Sequence, residues 1–467
     1  LTLLYTLCQI AQIVDGDLLQ GNPLVQAHSV AIDSRTDVTG SLFCAIVGER
    51  ADGHDFVDVA EAKGAVGALV QKPVTVSDPE FGVILVESTT DALGLLASDY
   101  LSRTGVDVIG ITGSVGKTST KDLVSAVLNQ RFKTYKNPGN LNSHIGLPLA
   151  VLQMEPGYRY AVLEMAMRAE GEIRYLSRIA KPKMGVLTDI SESHIGVVGS
   201  LKKIGLSKAE LLESLPEDGI AFLCWDSEYV RKFSSFARCP IVTYGFHEEA
   251  DCRAYDIKKV DETGYEFKVD YFGSKNQFTL YMPGVHQVQN SLAAISVGFQ
   301  LGLSADEIQA GLSNVSLSPM RQEVTKTRNL TIINDAYNAS VKSMKAALDL
   351  LSEIGDGRKV AILGDMLEMG EYAPQAHFEV GRYAKTKADV LIAIGSLSVH
   401  TKRGWDQTEY PEGERLSFWF EDKEKAIDCL PRLLQSMDVC LVKASRGMEF
   451  ESVVMFLRKL GDCGDWG

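Results

Sequence analysis

The sequence predicts an α/β fold in three domains, on three observations. Short apolar runs of four to six residues alternate with amphipathic stretches of helical period, as in a mostly parallel sheet covered on both faces. A turn of small residues at 113–116 joins one such run to a helix pattern. The chain is 467 residues long, enough for several separate cores. The predicted divisions are a small N-terminal α/β domain over 1–104, a central P-loop-type domain with a parallel sheet over 105–315, and a C-terminal Rossmann-like domain over 316–467.

The N-terminal region reads as a helix over Leu3–Ile13, then strands near Ser29–Ile32 and Leu42–Ile46. A helix at Val57–Lys63, strands at Ala68–Gln71 and Gly82–Val86, and a helix at Thr90–Arg103 complete it, with Thr104-Gly105 as hinge. In the central region the apolar runs Tyr160–Glu164, Met184–Thr188 and Ala221–Cys224 each precede turn or helix signals. Residues 251–283 change to a period of two, over Tyr265–Tyr271 and Gln277–Met282, which predicts an antiparallel insertion. Ser313–Pro319 reads as a linker. Beyond it, strands at Leu330–Asn334, Lys359–Leu363, Val390–Ile394 and Val439–Val442 alternate with helices.

The most informative stretch is GITGSVGKTSTKDLVSAVL, residues 110–128. The backbone N–H groups of Gly113, Ser114, Val115 and Gly116 are placed to surround phosphate oxygens. Lys117 supplies a point charge for the β/γ-phosphates; Thr118, with Ser119 beside it, supplies a hydroxyl for Mg²⁺. The following helix adds roughly half a positive charge at its start. This is a nucleotide phosphate site with one irregularity. The common spacing puts the first glycine at 111, where Ile111 stands, and Gly110 lies one place out.

Bulk composition excludes other classes. A net charge of −14 argues against broad attraction to nucleic acid or an anionic membrane. The eight cysteines are scattered without a C-x-x-C pair, which argues against structural zinc and a disulfide framework and fits a reducing cytoplasm. No apolar run approaches the roughly 18 residues that cross a bilayer, and the N-terminus lacks a signal pattern.

Ligands of open parallel sheets sit beyond the carboxyl ends of the strands. Glu164 ends one such strand, Asp189 follows another, His194 lies just past it, and Lys208 stands on the helix KAELLESL. With Thr118 these suit one or two magnesium ions, the oxygen ligands better than the imidazole. In the third domain, NDAYNAS puts Asp335 and Asn338 at a strand end, GDMLEMG does likewise and is followed by His377, and KASRG offers Ser445 and Arg446 to an anion. Arg321, just after the linker, is placed to reach back to a nucleotide. Taken singly, each has an ordinary structural reading as a solvated strand end, a helix cap or an exposed cation. Only their joint arrangement behind a phosphate loop points to a site.

The order IDSR, SLFCAIVGERADGHDF, GITGSVGKTST, GNLNSHIGLPL, LEMAMRAEGEI, SHIG, KAELL, GVHQVQNSLAA, RQE, DAYNAS, GDMLEMG, KASRG resembles that of the Mur ligases over essentially the whole chain. The loop alone is shared with folylpolyglutamate synthases. DAYNA, GDMLEMG and GNLN together are similar to the type that joins D-alanyl-D-alanine to UDP-N-acetylmuramoyl-tripeptide. That resemblance implies a monomeric, cytoplasmic, three-domain ligase of peptidoglycan synthesis using ATP and two magnesium ions. It implies that Ser34 and Arg35 of the DSR contact the uridine end. It implies that the loop and Lys117 hold the phosphates, that Thr118, Glu164 and His194 bind magnesium, and that Lys208 is carbamylated. Asn290 would contact adenine, Arg321 and Asp335 the ATP, and Asn140 and Asn142 the substrate's sugar and phosphates. The γ-phosphate would pass to the tripeptide carboxylate, and the dipeptide amine would attack the resulting acyl phosphate.

Four places depart from the family pattern. Val115 stands where Asn or Ser is usual, and a β-branched residue disfavours positive φ. Gln287 replaces an Asn, Ser340-Val341 replaces Asn-Pro, and Ser143-His144 replaces Asn-Glu. The remaining readings of the loop are a related Mur or folate ligase and a nucleotide-binding regulator without catalysis; retention of Lys117, Glu164, His194 and Lys208 argues against the regulator.

Overall fold

Strand Asp107–Thr112 lies within a nine-stranded sheet and carries the phosphate loop at its carboxyl end. The computed structural model describes residues 5–193, 195–316, 318–410 and 415–463. Across the large sheet the order is Ser274–Leu280, Tyr265–Tyr271, Cys252–Lys259, Ile241–Gly245, Ile220–Cys224, Met184–Leu187, Asp107–Thr112, Tyr160–Glu164, Thr134–Lys136. Pairing is parallel from Cys252–Lys259 to Thr134–Lys136 and antiparallel for the two outer strands. The expected insertion is therefore an antiparallel extension of this sheet. Helices cover both faces: Ile109 and Ile111 pack with Leu123 and Val127 of the loop's helix, while Leu163 and Leu187 pack with Leu211 on the other side. Burying each such side chain is worth about 1.5–3 kcal/mol.

The N-terminal sheet has five strands, in the order Asp17–Gln20, Gly82–Leu85, Gly67–Val70, Ser41–Cys44, Ser29–Ala31. The first pairs antiparallel and is an edge. The expected helix over Leu3–Ile13 is corrected at its start. Tyr5–Thr6 is a short strand paired with Gln26–Ala27, and the helix runs Leu7–Ile13. The reason is local: Thr6 caps the helix through a reciprocal bond with Gln9, and an N-cap residue takes extended backbone. Residues 3 and 4 lie outside the described residues. Helix Thr89–Thr104 is capped by Ser88 and ends at Gly105, whose φ of 64° suits glycine.

The third sheet runs Glu323–Lys326, Leu330–Asn334, Asp438–Lys443, Lys359–Gly364, Val390–Ile394, Leu416–Phe420, parallel except for its first edge strand. The strand that comes last in the chain lies between Leu330–Asn334 and Lys359–Gly364, so DAYNAS, GDMLEMG and KASRG emerge side by side. Backbone bonds from Asp335 to Val442 (2.9 Å) and from Ser445 to Asp365 (3.1 Å) tie the three ends together. The expected linker begins where helix Ala305–Ser313 ends. Ser318 pins it by donating from its amide (2.9 Å) and hydroxyl (2.8 Å) to Asp122 on the loop's helix. Leu317 lies outside the described residues.

Among the described residues, no helix is long and apolar enough to cross a membrane. The eight cysteines are all unpaired.

Candidate active site

The phosphate loop owes its shape to two glycines. Gly113 has φ 155°, and a Cβ there would stand 2.0 Å from the Thr188 hydroxyl. Gly116 has φ 84°, and a Cβ there would stand 2.6 Å from Asn290 Oδ1. Val115 is not among the residues with positive φ, so its β-branch is accommodated. The Thr188 hydroxyl donates to the Val115 carbonyl (2.6 Å), and the Ser114 amide donates to the Asp189 carbonyl (2.8 Å). Helix Lys117–Leu128 starts at Gly116 without a side-chain cap, leaving its first amides to a ligand.

Lys117 Nζ donates to the Gly113 carbonyl at 2.7 Å. Desolvation lowers its pKa and the Arg321 charge adds to this, with Glu164 opposing. Thr118 Oγ1 accepts from Arg321 Nη2 at 3.1 Å. Met320 and Gln322, on either side of Arg321, have φ of 60° and 56°. Such left-handed conformations cost of order 1–3 kcal/mol each, and here they turn the guanidinium into the cleft, 4.0 Å over the Tyr337 ring.

Glu164 is buried at its strand end. Oε1 accepts from Asn142 Nδ2 at 2.8 Å, while Oε2 lies 3.5 Å from Lys121 Nζ and has no hydrogen-bond partner. Burial would raise the carboxyl pKa, but Lys121, Lys117, Arg321 and the Asn142 bond together hold it below its ordinary value. An ionised, buried oxygen without a donor, in one cleft with the Thr118 hydroxyl, has the chemistry of a hard-cation ligand. Lys208 is buried on helix Leu201–Glu213. Burial, with the nearby Lys117 charge, lowers its ammonium pKa well below the ordinary value. Position 194 lies outside the described residues. Among the described residues no three His, Cys, Asp or Glu side chains converge as a metal site.

These groups line one cleft of about 790 Å³ between the middle and C-terminal domains. The structure brings to it Ser114, Val115, Gly116, Lys117, Thr118, Ser119, Glu164 and Asn290 from one side, with Asn140 and Asn142. From the other come Arg321, Asp335, Asn338, Ser445 and Arg446. Gly113, within the loop, and the buried Lys208 are not on the cleft wall. Ser34 and Arg35 are elsewhere, after strand Ser29–Ala31; Arg35 pairs with Asp33 at 2.7 Å and Ser34 is buried. His377 is structural: Nε2 accepts from the Met366 amide (2.9 Å) and Nδ1 faces the Ala373 carbonyl (2.7 Å).

Several wall residues escaped the sequence reading. Gln287 is buried and orders Asn290, accepting from its Nδ2 at 2.9 Å, and it donates to Gln322 at 3.1 Å. The glutamine thus serves at 287 as a bridge to the linker. Lys121, one helical turn beyond Lys117, is buried off the wall and stands 3.5 Å from Glu164 as a further counter-charge. His286, Gln322, Tyr337 and Lys342 also line the cleft, and no local pattern marks them.

Comparison with known proteins agrees with this architecture. Residues 26–101 match the Mur ligase family catalytic domain, 111–298 the Mur ligase middle domain and 320–446 the Mur ligase glutamate ligase domain. The chain is 39% identical to the UDP-N-acetylmuramoyl-tripeptide–D-alanyl-D-alanine ligase of Bacillus subtilis, covering 96% of this chain and 97% of that one. The Escherichia coli enzyme of the same name is 33% identical, covering 98% and 99%. Among solved structures, MurF from Acinetobacter baumannii superposes with a TM-score of 0.90 at 28% identity, covering 98% and 100%. MurF from Thermotoga maritima in complex with ADP gives 0.81 at 28% identity, covering 92% and 97%.

Proposed function

The chain belongs to the Mur ligase family, and on that premise we propose that it joins D-alanyl-D-alanine to UDP-N-acetylmuramoyl-tripeptide at the expense of ATP. The products are the UDP-muramoyl-pentapeptide precursor of peptidoglycan, ADP and phosphate. The observation that carries this reading is the shared cleft: phosphate loop, buried ionised Glu164 and the three third-domain loops face one another across it. The nucleotide substrates are those of the cytoplasm, and the enzyme acts as a monomer whose domains 1–104, 105–315 and 316–467 take the UDP end, the ATP and the dipeptide.

Two anions, the γ-phosphate and the tripeptide carboxylate, must meet for an acyl phosphate to form. Catalysis of such a transfer is mostly positioning and charge neutralisation. Lys117 leaves the loop carbonyls for the phosphate oxygens, and the amides of 113–116 hold the remainder. Arg321 and Asp335 reach the nucleotide from the third domain, and Asn290 contacts the adenine. Thr118, Glu164, His194 and Lys208 are the residues to hold magnesium, which when bound neutralises charge between phosphate and carboxylate. The unpartnered Glu164 Oε2 fits that role. Lys208 fits as its carbamate: the reaction with CO₂ needs a neutral amine, and burial favours one. Asn140 and Asn142 are the contacts to sugar and phosphate, Ser34 and Arg35 to uridine, and Asn338, Ser445 and Arg446 to substrate. Closure of the third domain shields the acyl phosphate from water until the amine attacks it.

The test supplies UDP-muramoyl-tripeptide, D-alanyl-D-alanine and ATP and measures phosphate release. Release that requires both co-substrates is expected. Release stimulated instead by glutamate or a free diamino acid, or none at all, rejects the assignment.

A further inference from the structure

We propose that Lys342 is a positioning residue that clasps the C-terminal domain onto the phosphate loop through Asp189. Lys342 is the second residue of helix Val341–Glu353, and its Nζ lies 2.7 Å from Asp189 Oδ1 across the domain boundary. A cation in the first turn of a helix opposes the helix dipole; a carboxylate from the other domain offsets that cost. Asp189 is buried and its second oxygen accepts from the Ser191 hydroxyl at 2.7 Å.

The segment that holds Asp189 is bonded to the loop as well. Besides the Thr188 and Asp189 bonds above, Ser114 Oγ donates to the Ser191 carbonyl (3.0 Å) and accepts from the Ser191 amide (2.9 Å). A few residues on, the same segment meets the third domain again: the Gly196 amide donates to the Glu368 carbonyl at 2.9 Å. There the two backbones touch, because a Cβ on Gly196 would lie 2.2 Å from the Gly370 nitrogen. Residues 188–191, bonded to the loop, and Gly196 thus tie the loop to the third domain at two points, through Asp189 and through Gly196. Seating that domain fixes residues 188–191, and these fix the loop carbonyl and amide that shape the phosphate site.

The inference rests on the ligase reading for its kinetics, but not for its shape measurement. Lys342→Met removes the charge at a half-exposed site, and Gly196→Ala blocks the second contact with a single methyl against backbone. Both are expected to lower kcat, by about tenfold and a hundredfold respectively, and to weaken ATP binding by calorimetry in the same order. Lys342→Arg retains turnover. With a non-hydrolysable ATP analogue, small-angle scattering gives a larger radius of gyration for Lys342→Met and Gly196→Ala than for the parent. Equal radii, or a Lys342→Met kcat within about twofold of the parent, overturn the proposal. A parent that forms no pentapeptide overturns the ligase reading instead, and the radii still decide the clasp.

Discussion

Lys443 Nζ and Asp335 Oδ2 lie 2.6 Å apart with both side chains buried, joining the ends of two neighbouring strands. Lys443 also donates to the Asn338 carbonyl at 2.8 Å. The basic turn KASRG, expected to offer Ser445 and Arg446 to an anion, therefore has its lysine neutralised in place. Arg446 is likewise paired, with Glu451.

Removing one partner of such a pair leaves an uncompensated buried charge, at a cost of about 3–5 kcal/mol. Lys443→Met is expected to lower stability by that order. Urea unfolding of the full chain measures it, and an unchanged midpoint contradicts the account.

Gly116→Ala forces an L-residue into φ 84° and drives a methyl toward Asn290 Oδ1. Nucleotide affinity should fall at least about tenfold, since the loop must distort. Calorimetric titration with ADP is the measurement; an affinity equal to the parent's rules out the steric argument.

Glu164→Gln separates charge from shape. The native carboxyl pKa is below its ordinary 4.5, so its ionisation contributes stability that is complete above that value and is lost as pH falls through the native pKa. The stability gap between parent and variant should be widest near neutrality and shrink in acid. A gap independent of pH excludes an ionised Glu164 beside Lys121.

Lys208 bears on the carbamate. Its lowered pKa means that the neutral, CO₂-reactive fraction at a given pH exceeds that of a free lysine. Enzyme in CO₂-depleted buffer should lose turnover, regain it with bicarbonate, and show a carbamate signal with ¹³C-labelled bicarbonate. Full turnover without CO₂ removes the modified lysine from the mechanism.

Local chemistry made much of the molecule legible. The phosphate loop could be read because glycine, lysine and threonine at that spacing after an apolar run serve few other ends. The strands Tyr160–Glu164, Leu330–Asn334 and Val390–Ile394 were readable as short apolar runs because both faces of a parallel sheet are buried. The start of the first helix was misread because an apolar pattern does not reveal that Thr6 caps it. Gln287 reads in the sequence only as a departure from the family's Asn, since its bond to Gln322 joins residues far apart in the chain.

By itself the sequence determined the α/β alternation, the glycines that bend the loop and the residue types offered at strand ends, since these depend on backbone sterics and side-chain chemistry within a few residues. Only the tertiary structure decided which charges remain open. Arg321 reaches Thr118, Lys443 is held by Asp335, and Lys342 meets Asp189. The first and last join segments that meet only after two domains have packed, the second joins two strands far apart in the chain but adjacent in one sheet, and electrostatic attraction depends on distance in space, not on separation along the chain.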